Sequence, residues 1–529
     1  MPSRDADDFV KTAEVSIALL LDMAASADAD RVAVVCDGQR LTVGELNSVA
    51  ASGAGVIAAC GAGSVAYVGV GGIMLPLLVF SSAGAARPFA PLNYRLSADA
   101  LADLIGRLPE PLVVFDAAYR DVVTGLGVSA IESEAFVAAA GAANPVKEFP
   151  DPDDVAVVLF TSGTTSRPKA VELSHNNLTS YVLGTVEFGS AESGDTALIC
   201  VPPYHIAGVS AALSNIYAGR KIVYLNNFDP YLWVRLAAAE GVTNATVVPT
   251  MLDRIITALE AQPTELPCLR TLAYGGSKVS LPLVRKCLEL LPHVGLVNAY
   301  GLTETSSTIA ILTPEDHRVA HAASDETARK RLGSVGQPVP GVEVQIRAEG
   351  GAVLGREEVG ELYVRGDQVS GKYAEIGSVL DADGWFPTRD IAYLDSDGYL
   401  FICGRSDDII IRGGENIAPA EVEDLLVEHP HVCDVAVVGV EDAEWGQIMV
   451  AVVVPVMHIT PDAEELREHI RAHLRGSRTP DRVVFREELP TTPTGKVLRR
   501  QLAEELKSEA ARGGTTDDQG RHQTSEPGV

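Results

Sequence analysis

The sequence predicts an α/β protein whose parallel sheets are buried between helices. Short β-branched runs alternate with amphipathic stretches through most of the 529 residues, which is typical of strand–helix–strand units covered on both faces. The chain is also too long for one hydrophobic core, so two to four domains are expected. From about Gly341 the strands become shorter and alternate in polarity, and after Arg405 a compact α+β pattern follows.

The first predicted elements lie in a segment without charged residues, from Leu46 to Ala86. The segment is long enough to cross a bilayer, but repeated glycines and Pro76 interrupt it. We therefore interpret it as a helix, a buried strand at 66–70 and a second packed helix of an α/β domain. The central elements are strands at 155–160, 196–201, 221–225, 245–248 and 269–274, and helices at 228–240 and 281–291.

The last third of the chain predicts two further units. Strands at 342–347 and 360–364, separated by Gly and Asp turns, indicate a more antiparallel subdomain. A helix, two strands and a second helix are predicted beyond it, at 419–428, 434–440, 448–456 and 462–474. Residues from about 510 are polar and Gly-rich, and are expected to be disordered. The predicted domain boundaries are accordingly 1–405, 406–509 and 510–529.

The net charge and the cysteine content indicate which kinds of partner and which cellular compartment to expect. The formal net charge of −29 argues against non-specific binding to nucleic acid or to an anionic membrane. Seven cysteines without close pairs predict neither a disulfide framework nor a zinc site, and fit a reducing cytoplasm. The first ten residues are acidic and lack an apolar signal core. A cytoplasmic enzyme acting on a small molecule is the expectation.

A loop at 158–171, VLFTSGTTSRPKAV, is the first stretch that could carry chemistry. It is not a Walker loop, because Pro168 has no N–H to donate and Ala170 has no hydroxyl for Mg²⁺. Small hydroxyl residues after a buried strand, followed by a lysine, nevertheless suit a phosphate chain. The residues in question are Thr161, Ser162, Gly163, Thr164, Thr165 and Lys169. The alternative is an exposed polar turn between two strands.

Three other stretches are individually weak signals. In 298–305, NAYGLTET, an aromatic ring, a hydroxyl and a carboxylate could stack a base, touch a phosphate and hold Mg²⁺, although a plain loop after a strand at 295–297 is the simpler interpretation. The stretch 384–416 mixes arginines and carboxylates with Gly turns, as a surface hairpin also would. The stretch 490–496, PTTPTGK, presents one lysine on a stiff loop that could equally be a linker.

Together, and in this order, the four stretches resemble the adenylate-forming superfamily, which contains acyl- and aryl-CoA synthetases, luciferases and nonribosomal adenylation domains. The resemblance covers nearly the whole chain and includes further segments at 41–46, 90–94, 203–208 and 274–277. It implies a large N-terminal domain of two parallel-rich sheets plus a smaller β-rich subdomain, followed by a mobile α+β C-terminal domain. Ser166 and Ala170 stand where the family usually has glycines, which restricts the backbone of the phosphate loop.

The resemblance also implies a two-step reaction and a set of residue roles. A carboxylate attacks the α-phosphorus of ATP with Mg²⁺ present, and the thiol of CoA then displaces AMP. The catalytic residues would be Lys496, which bridges the two anions, Thr303 at the α-phosphate, Glu304 on the metal, and His205 as a gate to the thiol tunnel. The nucleotide residues would be Asn298, Tyr300 and Gly301 around adenine, Asp390 and Arg405 at the ribose, and Gly275 and Gly276 where the backbone passes the ligand. Asp407 would be the hinge of the domain rotation, and Gly414 would admit the pantetheine arm.

The acid itself is the least determined part of the prediction. By motif position, its pocket would be lined by Tyr204, His205, Gly208, Val209, Met251, Tyr274, Gly276 and Ala299. Small residues in this set leave room for a bulky or ring-containing acid, and the absence of a nearby carboxylate disfavours an amino acid. Three alternatives to a CoA ligase stay open: a stand-alone acyl-AMP ligase that serves a carrier protein or partner enzyme, a luciferase-type oxygenase, and a non-enzymatic binding protein.

Overall fold

The computed structural model describes residues 15–161, 167–442, 445–459, 461–492 and 496–513, with the backbone alone for 510–513. Its strands, in chain order, are β1 (Val32–Cys36), β2 (Gln39–Thr42), β3 (Ser64–Val68), β4 (Phe89–Pro91), β5 (Pro111–Phe115), β6 (Ala130–Glu132), β7 (Val155–Thr161), β8 (Lys169–Ser174), β9 (Thr196–Ile199), β10 (Lys221–Tyr224), β11 (Asn244–Val247), β12 (Thr271–Gly275), β13 (Gly295–Leu302), β14 (Ser307–Leu312), β15 (Gln337–Pro338), β16 (Glu343–Arg347), β17 (Gly360–Arg365), β18 (Lys372–Tyr373), β19 (Gly377–Ser378), β20 (Phe386–Leu394), β21 (Leu400–Arg405), β22 (Ile410–Arg412), β23 (Glu415–Ile417), β24 (Val432–Asp442), β25 (Gly446–Pro455) and β26 (Arg482–Phe485).

The α-helices cover both faces of the larger sheets. In chain order they are α1 (Ile17–Ala27), α2 (Val43–Ala59), α3 (Met74–Gly84), α4 (Ala98–Ile105), α5 (Arg120–Thr124), α6 (Ser133–Ala140), α7 (His175–Thr185), α8 (Ile206–Ala218), α9 (Pro230–Ala239), α10 (Pro249–Ala261), α11 (Leu281–Leu290), α12 (Pro314–Ala322), α13 (Glu326–Lys330), α14 (Pro419–Val427), α15 (Ala463–His473) and α16 (Arg499–Gly513).

Two large, mostly parallel sheets form the first part of the molecule. One has nine strands in the order β15-β14-β13-β12-β11-β9-β10-β1-β2, and the other has eight in the order β19-β18-β8-β7-β4-β3-β5-β6. Antiparallel pairs occur towards their edges, as between β13 and β14 and between β7 and β8. Because the central strands are covered on both faces, they consist of continuous buried runs, and all five residues of β3 are buried.

Three smaller sheets complete the fold. The strands β16-β17-β20-β21 form an antiparallel sheet, β22 and β23 form a hairpin, and β24-β25-β26 form the sheet of the C-terminal α+β unit. The α/β architecture predicted from the sequence, with a β-rich part and a small α+β unit, is confirmed. The seven cysteines are free thiols.

The charge-free segment folds as the sequence predicts, as a helix, a buried strand and a second helix. Thr42 and Glu45 form a capping box that starts α2. Gly53 permits close helix packing, because a Cβ there would lie 2.4 Å from the Ser81 hydroxyl oxygen of α3. Among the described residues, no helix combines the length and the apolar character that a bilayer span requires.

Two element ends differ from the prediction, each for a tertiary reason. The strand expected at 295–297 continues to Leu302, because β12 pairs with its first half and β14 with its second half. The stretch 298–302 is therefore strand rather than loop. The last helix runs to Gly513, beyond residue 510, where the sequence predicts the tail to begin. Residues 514–529 lie outside the described residues.

Candidate active site

The carboxyl end of β12 lies beside the middle of β13 and brings two of the predicted stretches together. Their parallel register pairs Tyr274 with Asn298 and Gly275 with Ala299. A Cβ on Gly275 would lie 2.2 Å from the Ala299 carbonyl oxygen, so any larger residue would push the strands apart. Gly276, which follows, has φ +87°, a conformation that favours glycine. The strand ends of a parallel sheet are also where ligands bind in open α/β folds.

A buried carboxylate, Asp390 on β20, is held by two neighbouring side chains. It is 5% exposed, and it accepts a hydrogen bond from the Tyr300 hydroxyl. The Arg405 guanidinium stands opposite it on β21, with Nη1 3.4 Å from Asp390 Oδ1. Burial raises the pKa of Asp390, while Arg405, Tyr300 and Lys496 oppose that rise. Tyr300, predicted to contact adenine, and Asp390, predicted to contact the ribose, are therefore in direct contact. Asn298, also predicted to contact adenine, instead donates its amide N–H to the Ser334 carbonyl at 3.2 Å.

Lys496 of the C-terminal unit reaches this same group of charges. Its side chain is exposed, yet the protein around its ammonium, followed by the charge of Arg405, lowers its pKa. Asp408 and Asp390 oppose that effect. The Lys496 N–H donates to Thr492 Oγ1 at 3.1 Å, and its carbonyl accepts from the Thr492 N–H at 2.8 Å. The charge of Asp390, the carboxylate predicted to bind the ribose, thus acts on Lys496.

Glu304 lies in a short 3₁₀ helix, Thr303–Thr305, directly after β13. Its Oε1 accepts a hydrogen bond from the Tyr373 hydroxyl at 2.8 Å. The Lys169 ammonium stands 5.3 Å from the centre of the same tyrosine ring, a cation–π contact. The metal residue and the phosphate-loop lysine predicted from the sequence are therefore linked through Tyr373, which the sequence alone does not single out.

Three non-glycine residues near this group have strained backbones. Ser306 and Ser307 have φ values of +56° and +121°, and Arg389, next to Asp390, has φ +66°. Such conformations cost about 1–3 kcal/mol each and accumulate at functional sites. Gly301, on the strand paired with Ser307, leaves no room for a side chain, because a Cβ there would lie 1.7 Å from the Ser307 carbonyl oxygen. The 3₁₀ turn with Thr303 and Glu304 is thus tightly determined.

The phosphate loop connects β7 and β8, which pair antiparallel. Thr161 and Lys169 face each other in the last register pair before the loop. Ser162, Gly163, Thr164 and Thr165 lie outside the described residues, and their predicted phosphate contacts stay predictions. Ala170 is 3% exposed, so the side chain that replaces the family's usual glycine packs inside the protein.

His205 stands at the start of α8 beside Tyr204. The two rings have centroids 4.6 Å apart. Neither the His205 Nε2 nor the Tyr204 hydroxyl has a hydrogen-bond partner among the described residues, although both atoms are buried. Burial, and secondarily Arg95, lowers the pKa of His205 to about 4, so the ring is neutral at pH 7. Two buried polar atoms without partners, on neighbouring rings, suit a bound molecule that supplies those partners.

The other predicted pocket residues are spread over the apolar clusters that meet near α8. Val209 is fully buried in the core beneath α8, and Met251 is packed with Cys200, its sulfur 3.7 Å from the thiol. The Tyr274 hydroxyl is bonded to His317 Nε2 at 2.8 Å, which fixes its side chain in the core. Gly208 lies close to the preceding turn, since its Cβ would come within 2.9 Å of the Pro202 carbonyl oxygen.

The predicted hinge and thiol-channel residues lie on the connection to the C-terminal unit. Asp407 is exposed in the 3₁₀ turn Ser406–Asp408, which follows β21 directly. Gly414 is in the exposed turn between β22 and β23, with φ +85°. A Cβ on Gly414 would have no described atom within 4 Å, so the turn has open space on that side. The geometry is compatible with both roles, which stay predictions.

We predict that Tyr373→Phe will raise the concentration of Mg²⁺ that the protein needs for activity. The hydroxyl that fixes Glu304 Oε1 is lost while the ring beneath Lys169 is kept, so the carboxylate loses its orientation but not its charge. The Mg²⁺ concentration for half-maximal activity should rise by about 10-fold, as measured by ATP-dependent pyrophosphate release. Tyr363→Phe, on the separate β17 sheet, is the matched control. An unchanged Mg²⁺ dependence would contradict the positioning role.

Two family models match the chain and include most of the residues described above. The family model described as AMP-binding enzyme matches residues 21–374, and the model described as AMP-binding enzyme C-terminal domain matches residues 421–496. Together they include β12, β13, Glu304 and Lys496. Asp390 and Arg405 lie between the two matched segments.

Individual relatives and solved structures agree with these matches. The chain is 31% identical over 433 residues to a feruloyl-CoA synthase from an Amycolatopsis species, covering 80% of this chain and 85% of the relative. It is 31% identical over 446 residues to an indoleacetate–CoA ligase from Aromatoleum aromaticum, with the same coverage of 80% and 85%. A crystal structure of ATP-bound MatB from Rhodopseudomonas palustris has a TM-score of 0.84 at 26% identity, covering 94% of this chain and 100% of that one. The o-succinylbenzoate CoA synthetase MenE from Bacillus subtilis, in complex with the acyl-adenylate intermediate OSB-AMP, has a TM-score of 0.80 at 28% identity, covering 91% and 97%.

Proposed function

Because the chain belongs to the AMP-binding enzyme family and is an AMP-forming acid–thiol ligase, we propose that it activates an aryl-containing carboxylic acid with ATP and transfers the acyl group to CoA. In the first step a carboxylate oxygen bonds to the α-phosphorus and pyrophosphate leaves. In the second step the CoA sulfur bonds to the acyl carbon, the thiol proton departs, and AMP leaves. The observation that carries the proposal is the contact group of Tyr300, Asp390 and Arg405, two of whose charges act on Lys496 of the C-terminal unit.

The first step brings two anions together, so its barrier depends on the placement of cations. Lys496 supplies a charge between the acid's carboxylate and the α-phosphate, and its exposed side chain allows a ligand to reach it. Asp390 accepts from the ribose hydroxyls, and Arg405 opposes the rise that burial causes in the pKa of this carboxylate. Tyr300, whose hydroxyl is fixed on Asp390, stacks against adenine, with Asn298 and Gly301 beside it on β13. Thr303 contacts the α-phosphate.

The phosphate end of the site suits a divalent metal. Glu304 has one oxygen in a hydrogen bond with Tyr373, and since a carboxylate has about four acceptor positions, it retains capacity for a cation. Mg²⁺ is commonly held by one or two carboxylates together with substrate phosphates. When bound, Mg²⁺ would neutralise charge on the β- and γ-phosphates. Lys169, and the loop residues Thr161 to Thr165, would contact the same phosphates.

The acid is proposed to carry an aromatic ring. The names of the relatives refer to feruloyl, indoleacetate and succinylbenzoate substrates, each of which contains one. By motif position, the candidate pocket would be lined by apolar groups such as Val209 and Met251 and by the ring of His205, whose pKa burial lowers to about 4. The orphaned Tyr204 hydroxyl and His205 Nε2 favour an acid with a hydrogen-bonding substituent rather than a plain fatty acid.

The second step is proposed to use a different arrangement of the two domains from the first. We propose that residues 1–405 bind nucleotide and acid, and that 406–509 rotate about Asp407 once the adenylate has formed. The rotation withdraws Lys496 and brings the turn at Gly414 to the thiol entrance. Lacking a side chain, Gly414 leaves space for the pantetheine arm.

The proposal is tested by pyrophosphate release over a panel of fatty, aryl, alicyclic and terpenoid acids. Aryl acids are expected to exceed fatty acids by at least about 10-fold in kcat/KM, because a misfit in an apolar pocket costs about 1–3 kcal/mol. Product analysis with CoA, a phosphopantetheinylated carrier protein or neither then identifies the acceptor. A thioester formed with the carrier but not with CoA would favour the stand-alone acyl-AMP ligase, and pyrophosphate at background for every acid would overturn the enzyme assignment.

A further inference from the structure

A group of histidines lies in the C-terminal unit, on elements outside the proposed active site. His429 and His431 flank Pro430 in the turn between α14 and β24, and Glu465 projects from α15. Helix α15 packs against α14, and this brings the turn and the helix together although they are more than 30 residues apart in the chain. His429 is 8% exposed, which is uncommon for an ionisable side chain.

The ligand atoms of these three residues are spaced as they would be around a metal ion. Glu465 Oε1 is 3.6 Å from His429 Nε2 and 3.5 Å from His431 Nδ1, and one ligand atom from each residue lies within 4.8 Å of the others. Metal–nitrogen and metal–oxygen bonds to zinc are about 2.0–2.2 Å, so two ligands of a tetrahedral site are about 3.4 Å apart. Small shifts would close the set around one ion.

Two further histidines extend the group along one face of α15. His469 is one helical turn from Glu465, and its ring centroid lies 5.1 Å from that of His429. His473 follows one turn later, with centroids 4.8 Å apart. Within the described part of the chain, His469 Nε2 and His431 Nδ1 are buried and have no hydrogen-bond partner. Of these two nitrogens, His431 Nδ1 faces the Glu465 carboxylate at 3.5 Å, and a bound cation would satisfy both groups.

We propose that His429, His431 and Glu465 form a site for a divalent transition metal of the zinc class, with His469 as the nearest side chain for a fourth position. Imidazole and carboxylate are suitable ligands for Zn²⁺, Ni²⁺ and Cu²⁺. The cysteine pattern predicts no zinc site, and this one uses no thiol. It is independent of the Mg²⁺ position at Glu304.

One backbone contact bears on the tautomer of His429. The His431 backbone N–H donates to His429 Nδ1 at 3.3 Å, which places the proton of a neutral ring on Nε2. Metal binding through Nε2 therefore requires the tautomer with its proton on Nδ1 and the loss of this long contact.

The consequence of binding would be structural. The metal joins the turn after α14 to α15, two elements that share the apolar core of the C-terminal unit. It would therefore stabilise the unit that carries Lys496, without contacting nucleotide or acid.

The test uses the full-length protein without an affinity tag, stripped with chelator and titrated with Zn²⁺ against a chromophoric competitor. We expect wild type to bind one ion, with a higher Tm when Zn²⁺ is present. The double variant His431→Gln/Glu465→Gln should bind at least about 10-fold more weakly and lose the Tm increase. The control His321→Gln/Glu315→Gln removes an exposed His and Glu from α12 and should behave as wild type.

The spectrum of Co²⁺-substituted protein distinguishes this site from metal on free thiols. Visible d–d bands without a sulfur charge-transfer band, lost in the double variant, would support nitrogen and oxygen ligands. Either of two results would overturn the proposal: wild type that takes up no Zn²⁺ after stripping, or a double variant that binds Zn²⁺ as wild type does.

Discussion

Lys496→Ala is expected to lower acyl-adenylate formation by about 100- to 1000-fold, the usual effect of removing one preorganised charge from a transition state. Lys496 lies in range of Arg405 and Asp390, beside the proposed position of the ribose and α-phosphate. Without its ammonium, the incoming carboxylate meets the phosphate anion unscreened. The thioester step, from which Lys496 is proposed to be withdrawn, should keep most of its rate.

The two halves of the reaction are measured separately. Pyrophosphate release reports the first step, and AMP release from a supplied acyl-adenylate with CoA reports the second. Lys507→Ala is the matched control, because Lys507 is an exposed lysine of α16 in the same unit, paired with Glu441, and should leave both rates unchanged. If Lys496→Ala slows both halves equally, the proposed division between the steps is wrong.

Asp390→Asn is expected to raise the KM and the Kd for ATP by about 10- to 100-fold, with a smaller effect on kcat. The substitution keeps the shape of the side chain but replaces charge-assisted hydrogen bonds to the ribose, worth about 1.5–3 kcal/mol, with weaker neutral ones. Arg405 also loses its anionic partner, which stands 3.4 Å away. Calorimetry with ATP gives the Kd and pyrophosphate release gives the KM.

The same variant separates binding from folding. Burial raises the pKa of Asp390, so the folded protein holds a proton there more tightly than the unfolded chain does. The ionised carboxylate therefore destabilises the fold at neutral pH, and Asp390→Asn should leave the Tm unchanged or higher. Asp383→Asn, an exposed carboxylate in the preceding turn, is the control. Unaltered ATP affinity in Asp390→Asn would contradict the ribose assignment.

The sequence predicts those site residues that lie in compact local patterns. Glu304, Asp390 and Lys496 each stand in a short stretch of unusual composition, and the order of these stretches indicates the family. The same is true of the strand–helix alternation, since buried parallel strands require continuous apolar runs.

Features that depend on tertiary pairing could not be predicted in the same way. Tyr373 reaches Glu304 only because β18 pairs with β8, which joins residues about 200 positions apart, Tyr373 and Val171. The stretch after residue 297 has the composition of a loop, and only its pairing with β12 and β14 makes it a strand. The spacing of Glu465, His469 and His473 along one helix is visible in the sequence, but their proximity to His429 is not.

The continuous strand β13 has a kinetic consequence for the proposed reaction. It carries Asn298, which pairs with both β12 and β14, and Tyr300 and Gly301, which pair with β14, and it leads directly into Thr303. The proposed adenine and α-phosphate contacts therefore lie on one strand and the turn directly after it, the proposed ribose contacts lie on β20 and β21, and Lys496 belongs to a separate unit. If the proposed rotation of that unit limits turnover, a more viscous solvent should slow turnover while leaving the occupancy of the nucleotide cleft as it was.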